Sequence, residues 1–310
     1  MSDIKLFRVV GGVAREVQGT ASALEKPLQS LIEANLIPLL GIRLVASEYS
    51  TGKTHAGRID TLGLDENNSP VIIEYKRASH ENIINQGLFY LDWLMDHQAE
   101  FKLLVLEKFG KPVADLIEWG APRLLCIAAD FTKYDSHAVQ QMNRNIDLIR
   151  YREFASDHLL LELVNAVSAS TTGPSASKKA SKEKKSKTAV AKSSGDYLKA
   201  IPKSLQPVFG ALETYVLSLG DDVQRKDLKH YIAFKRLRNF ATLVFQQKNL
   251  RLFLHLDPDK DNMVPGLTRS VKGIGHWGSG DLEVPLMTVD DLSKAKPLIF
   301  KAYQGGGNAG

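Results

Sequence analysis

One stretch, Gly57 to Lys76 (GRIDTLGLDENNSPVIIEYK), constrains this chain more than any other. Asp65 to Pro70 is a cluster of turn formers, whose side chains bond locally or fix φ, and it separates two strand-like runs. The first carries Arg58, Ile59 and Asp60, then Leu62 and Leu64; the second, Val71 to Tyr75, is rich in β-branched residues. Side chains alternate across a strand, so Glu74 and Lys76 share a face with Ile72, while Val71, Ile73 and Tyr75 take the other. Burying an acid or an amine in such a strand costs several kcal/mol unless it is paired or binds a metal. If the hairpin closes, Asp60 joins them, and two carboxylates and one ammonium converge at a strand end. A surface hairpin with an ordinary ion pair is the bland alternative. The fully apolar Val71 to Ile73 argues against it, because such a run implies a buried strand.

The flanks extend the pattern. Leu24 to Leu40 (LEKPLQSLIEANLIPLL) has apolar residues at helical spacing, with Pro38 marking its end or a kink. His80 to His97 reads as a second helix, with Gln86 and Tyr90 one turn apart on one face. Asp60, the Glu74-Tyr75-Lys76 run and these two helices together resemble the PD-(D/E)XK nuclease superfamily. Within it they are most similar to the catalytic domain of NucS-type mismatch endonucleases, over roughly the first half of the chain.

That resemblance implies an α/β restriction-endonuclease-like fold, a mixed central sheet flanked by helices. It also implies that Glu25 supplies a further acid, with Glu33 as the fallback. Asp60 and Glu74 then ligate Mg2+ (Mn2+ substituting), and Glu25 joins them directly or through water. Lys76 holds the attacking water and stabilises developing negative charge, while Gln86 and Tyr90 match a Q-x-x-x-Y pattern that positions phosphate or water. The number of ions, one or two, stays open. Read from spacing alone, Tyr90 in LFYLDWL fits an aromatic core stripe equally well. Arg58 is either a phosphate contact or a salt-bridge partner of Glu74. Lys53 and His55, in the loop STGKTHAG, would line the substrate entrance; this is not a P-loop, because the G-x-x-x-x-G-K spacing is missing. Mismatch specificity does not transfer, because NucS-type enzymes carry a separate DNA-binding domain ahead of the catalytic one, and none is expected here.

Along the rest of the first domain, an N-terminal hairpin is expected around Gly11-Gly12 (Lys5 to Val10, Arg15 to Val17). Strands are expected at Gly41–Glu48, Phe101–Glu107, Arg123–Phe131, Ile149–Phe154 and Leu159–Val164, and helices at Lys108–Gly120 and Ser136–Leu148. Strands alternating with helices argue a layered α/β domain over residues 1–166.

Residues 167–195 form a Lys/Ser/Ala-rich linker with no apolar periodicity, expected to be disordered because it buries too little to offset its ordering entropy. Seven lysines against one glutamate give Ser168 to Gly195 a charge of +6, which leaves −1 for the rest of a chain whose total is +5. Affinity for nucleic acid must therefore come from local patches or from this segment, read either as a solvated run or as a phosphate-grazing tether.

Residues 196–304 read as a small α+β domain: a helix over Leu198–Leu219, strands at Leu243–Gln246, Leu250–Leu256 and Leu282–Leu286, and a closing helix at Val289–Tyr303. It resembles a domain of unknown function that recurs behind nuclease modules, a resemblance that brings no established site. Lys229, Tyr231 and Arg236 belong to a basic stretch with interleaved aromatics. That is the composition of a single-strand binder, or of a solvated strand-and-turn face. His276 and Trp277, between glycines, make either a pocket or a structural turn. A disordered tail is expected at 305–310.

A lone cysteine, Cys126, excludes a disulfide framework within the chain and reads as a small buried hydrophobe. No run approaches the ~18 apolar residues of a membrane span, so a cytoplasmic protein without membrane contact is expected. Two function classes follow. One is a magnesium-dependent endonuclease hydrolysing DNA, whose second domain aids recognition of substrate, of a protein partner or of a second copy in a homodimer. The other is a non-catalytic nucleic-acid-binding or scaffold protein on the same fold.

Overall fold

The computed structural model describes residues 4–21, 25–77, 82–155, 157–167, 201–260 and 263–305. The expected linker from residue 168, its seven lysines, the tail from 306 and the helix starts before Glu25, Asn82 and Ile201 lie outside them. Two compact units, residues 1–169 and 170–310, make up the chain.

The first unit opens with an exposed antiparallel hairpin, β1 (Leu6–Val10) and β2 (Val13–Val17), turning on Gly11 and Gly12 at positive φ. Its main sheet has seven strands: β3 (Gly19–Thr20), β4 (Ile42–Ser50), β5 (Arg58–Asp65), β6 (Pro70–Lys76), β7 (Arg123–Ala128), β8 (Asn145–Phe154) and β9 (His158–Val167). The order is β3-β8-β7-β6-β5-β4, with β9 also on β8. The strands β4, β5 and β6 are antiparallel neighbours, β6, β7 and β8 run parallel, and β9 returns antiparallel, so the sheet is mixed. The helices are α1 (Glu25–Ala34), α2 (Leu36–Leu40), α3 (Gly52–His55), α4 (Ile83–Asp96), α5 (Gln98–Phe109), α6 (Lys111–Ala114) and α7 (Lys133–Gln140).

Alternation decides the packing. Leu62, Leu64, Ile72, Leu124, Cys126, Ile146 and Leu148 bury one sheet face against Leu91 and Leu94 of α4 and Phe101 and Val105 of α5. Ile73, Tyr75, Leu125 and Ile127 lie at the alternate positions, equally buried, and α1 buries Leu28 and Ile32 outside that cluster. A left-handed Gly41 (φ +66°) ends α2, and a Cβ there would sit 2.4 Å from the Glu66 side chain.

Three local expectations are corrected. Phe101–Glu107 is helix α5 and not a strand. Phe101 and Val105, one turn apart, are buried in the core with Leu104 packed against it, while Leu103 and Leu106 face out, a 3.6-residue pattern hidden in an apolar run. The helix expected over Lys108–Gly120 shrinks to α6, because Gly110 (φ +84°) breaks the chain first. The helix over Ser136–Leu148 stops at Gln140, and Asn145 already belongs to β8. Val139, Met142 and Ile146 do share one cluster, but they reach it from a helix, a turn and a strand.

The second unit has the elements α8 (Gln206–Leu217), β10 (Gln224–Asp227), β11 (Ile232–Lys235), β12 (Asn239–Phe245), β13 (Leu250–Leu254), β14 (Arg269–Ser270), β15 (Leu282–Leu286) and α9 (Val289–Tyr303). Its sheet is antiparallel throughout, in the order β10-β11-β12-β13-β15-β14. Both helices share one core with one sheet face: Leu212 and Val216 of α8 and Leu292, Ala295 and Ile299 of α9 meet Leu243, Leu252 and Val284. The helix expected from Leu198 begins only at Gln206, after Pro202. A capping box of Thr288 and Asp291 starts α9. Among the described residues no helix is long and apolar enough to cross a membrane.

Candidate functional site

Asp60 and Glu74 lie across from each other where β5 and β6 part. The Asp60 N–H donates to Glu74 Oε1 at 3.3 Å, and the Tyr75 N–H donates to Asp60 Oδ2 at 3.1 Å. Glu74 is 0% exposed, and its Oε2 has no hydrogen-bond partner among the described residues. Burial first, then the neighbouring Asp60, pushes the Glu74 carboxyl up to about 9, against the Asp60 N–H and Lys76. Burial also raises Asp60, opposed by the Tyr75 N–H and by Lys76. Two carboxyls at this spacing do not both ionise readily without a cation between or beside them.

Lys76 ends β6, with its Nζ 3.6 Å from Glu25 Oε2. The other oxygen of Glu25 accepts the Arg77 N–H at 3.1 Å, so the first residue of α1 is tied to the end of β6. Glu33, the fallback acid, is turned to other work: it accepts from Thr61 Oγ1 (2.5 Å), Ser47 Oγ (2.9 Å) and Gln29 Nε2 (3.1 Å).

Tyr90 is buried, and its hydroxyl accepts the Arg58 N–H at 3.2 Å. A Cβ on Gly57 would lie 2.6 Å from its ring, so only glycine lets α4 close on the start of β5. Gln86 is half-buried one turn earlier on α4, with no side-chain hydrogen bond to the cluster among the described residues. Arg58 pairs with Glu48 at 2.8 Å, and this replaces the expected bridge to Glu74. Lys53 is exposed in α3, while His55 stands 5.2 Å from the Phe89 ring.

Two neighbours escaped the sequence reading. Gln29 is 4% exposed and donates to the Asp60 carbonyl at 2.9 Å, fixing the backbone of β5 to α1. Its signal was present: Glu25, Gln29 and Glu33 recur every four residues along one helix face. Glu48 had no such signal, because its place opposite Asp60 depends on the β4–β5 register, which shifts between Leu44 and Ala46.

Among the described residues no group of three His, Cys, Asp or Glu side chains is gathered in a metal-binding arrangement. The donors that could hold a cation are the Asp60 and Glu74 carboxylates, hard oxygens that suit magnesium, which keeps several waters and uses one or two carboxylates. The orphaned, buried Glu74 Oε2 fits such a ligand. A separate groove of about 700 Å³ lies by Leu88, Met95, Trp119, Pro122 and Asn143, at the beginnings of β7 and β8.

In the second unit Lys229 is exposed, Tyr231 is buried with Leu228 and Ala233, and Arg236 is paired to Asp222 and stacked on Tyr303. These three do not share one open surface. His276 stacks on Phe253 and Trp277 on His230, at 4.2 and 4.0 Å between ring centroids. Ser279 binds Thr242, Asn239 and His255, so the glycine-rich turn is laid along the sheet.

Residues 194–305 match a family described as a domain of unknown function, DUF5655. An uncharacterized protein of Haemophilus influenzae is 29% identical over 308 residues, covering 97% of this chain and all of its own length. Among solved structures, a complex of EndoMS with double-stranded DNA aligns at 17% identity and a TM-score of 0.24. That alignment spans 42% of this chain and 46% of the other, a similarity too slight to carry an argument.

Proposed function

We propose that the first unit is a magnesium-dependent endonuclease that hydrolyses DNA phosphodiester bonds, with the second unit aiding recognition of substrate or partner. The observation that carries this reading is the Asp60–Glu74 pair: a half-buried and a fully buried carboxyl, both raised, with Glu74 Oε2 lacking any donor among the described residues and Lys76 at the same strand end. A stable fold gains nothing from such a cluster, since an unpaired buried carboxylate is costly. The PD-(D/E)XK-like order of Glu25, Asp60, Glu74, Lys76, Gln86 and Tyr90 adds to it.

Asp60 and Glu74 would hold the ion, which when bound polarises the scissile phosphate and offsets charge on the leaving oxygen. Lys76 donates to the attacking water and to the charge that develops on phosphorus oxygens. Glu25, beside its ammonium, keeps that lysine in place. Tyr90 fixes the start of β5 through the Arg58 N–H, which holds Asp60 two residues on.

The decisive experiment incubates the full chain with single-stranded, duplex, mismatched and branched DNA, in magnesium and in manganese. Metal-dependent cutting that disappears in Asp60→Ala is expected. A thermal scan gives an independent readout, in which magnesium should raise the melting temperature of the wild type but not of Asp60→Ala. Cutting retained in Asp60→Ala overturns the site. The second reading, a non-catalytic DNA-binding or scaffold protein, draws on Glu25 being engaged by Lys76 and the Arg77 N–H. It calls for equal DNA binding with and without magnesium, and no cutting.

A further inference from the structure

Three charged side chains at the rim of this strand end take no part in the chemistry above. Glu48 stands in β4 across from Asp60, between the Ser47–Thr61 and Tyr49–Ile59 pairs. Its φ is +53°, a left-handed backbone that a non-glycine residue rarely adopts. Each of its oxygens meets a different cation: Oε1 accepts from Lys26 Nζ at 2.7 Å, and Oε2 lies 2.8 Å from Arg58 Nε. Lys26 comes from α1 and Arg58 from the first position of β5, with side chains 59% and 69% exposed. Lys26 also donates to Gln29 Oε1 at 3.2 Å, and Gln29 in turn holds the Asp60 carbonyl. The bridged carboxylate presents two oxygens to two cations, as the non-bridging oxygens of a phosphodiester would.

We propose that Lys26 and Arg58 form a clamp for a nucleic-acid backbone phosphate beside the Asp60–Glu74 strand end, and that Glu48 occupies the clamp until a phosphate displaces it. The inference rests on DNA being the substrate. Displacement is easy, because ion pairs to such exposed cations contribute little net stability. A guanidinium and an ammonium on a DNA phosphate gain more, since each contact releases condensed counterions.

The test measures DNA binding of the full chain by fluorescence anisotropy in a chelator, across a salt series, so that cleavage plays no part. Lys26→Gln and Arg58→Gln should each flatten the slope of log affinity against log salt by about 0.9 on duplex DNA. Glu48→Gln should tighten binding several-fold and steepen that slope. Asp115→Asn is the control: Asp115 bridges Lys102 and Lys111 in the same way (2.9 and 2.5 Å) and carries the same charge, but it precedes Glu118, whose N–H bonds Asn68 in the β5–β6 turn. It should leave the slope unchanged. If Glu48→Gln matches Asp115→Asn, or weakens binding, the clamp is overturned while DNA binding stands. A chain that binds no DNA at any salt overturns the nuclease reading itself.

Discussion

Each end of the β5–β6 hairpin buries one acid, Asp65 at the turn and Glu74 at the open end, and treats it differently. At the turn, Asp65 is 2% exposed, and its Oδ1 accepts the N–H groups of Asn67 and Ser69, both at 2.9 Å. Its Oδ2 takes Arg123 Nη1 at 3.0 Å, and Arg123 Nη2 reaches Asp147 Oδ2 at 2.5 Å. These carboxylates raise the Arg123 guanidinium although burial opposes them. At the open end, Glu74 is fully buried with one oxygen unpartnered among the described residues, and the nearby ammonium of Lys76 lies 3.6 Å from Glu25. A sealed cluster holds strands together; the unsealed one in the same sheet leaves a buried carboxyl oxygen without a donor among the described residues, which is what the proposed metal site draws on. The burial of Asp65 and Glu74 alone would not have separated the two ends, because these two acids are equally dry.

The largest expected difference is in rate. Asp60→Asn should lower cleavage at least about a thousandfold, about 4 kcal/mol on the barrier, while the melting temperature holds or rises. An equal loss of stability would make the open end another structural cluster. Next is Arg123→Met, which unseals the turn end and leaves two buried carboxylates facing each other. Unfolding in urea should report a loss of about 3–5 kcal/mol, partly recovered when Asp65→Asn and Asp147→Asn are added. No recovery would mean that Arg123 acts by packing and not by charge.

Glu74→Gln should do the reverse, gaining about 1–3 kcal/mol near pH 8 in chelator. The sign follows from the raised folded pKa. The protonated folded form is favoured, so this group's contribution is full below its ordinary range near 4.5 and fades as pH climbs toward about 9. Wild-type melting should therefore fall across that window, and the variant's should fall less. Parallel profiles would show that Glu74 already has a partner. The smallest effect is Tyr90→Phe, which leaves the Arg58 N–H without its acceptor at a cost of about 0.5–1.5 kcal/mol. If cleavage drops much further than stability, Tyr90 does more than brace β5.

Local periodicity determined a good part of this. The turn formers at Asp65–Pro70 and the two-residue alternation of Val71–Lys76 are enough to pair β5 with β6 and to bring Asp60, Glu74 and Lys76 to one end. Four-residue spacing likewise puts Glu25 on the α1 face that meets β6. What the sequence could not decide was whatever needed a neighbour. Phe101–Glu107 reads as a strand until the core takes Phe101, Leu104 and Val105 from it and leaves Leu103 and Leu106 outside. Asn145 joins a strand beside β7, where Asp147 meets the guanidinium of Arg123 across the sheet. Glu48 looks like any surface acid until a register shift and a left-handed backbone set it opposite Asp60, between Lys26 and Arg58. Alternation and turn chemistry act over a few residues and are written in them. Register and ion pairing depend on which strand or helix arrives alongside, and only the packed sheet supplies that.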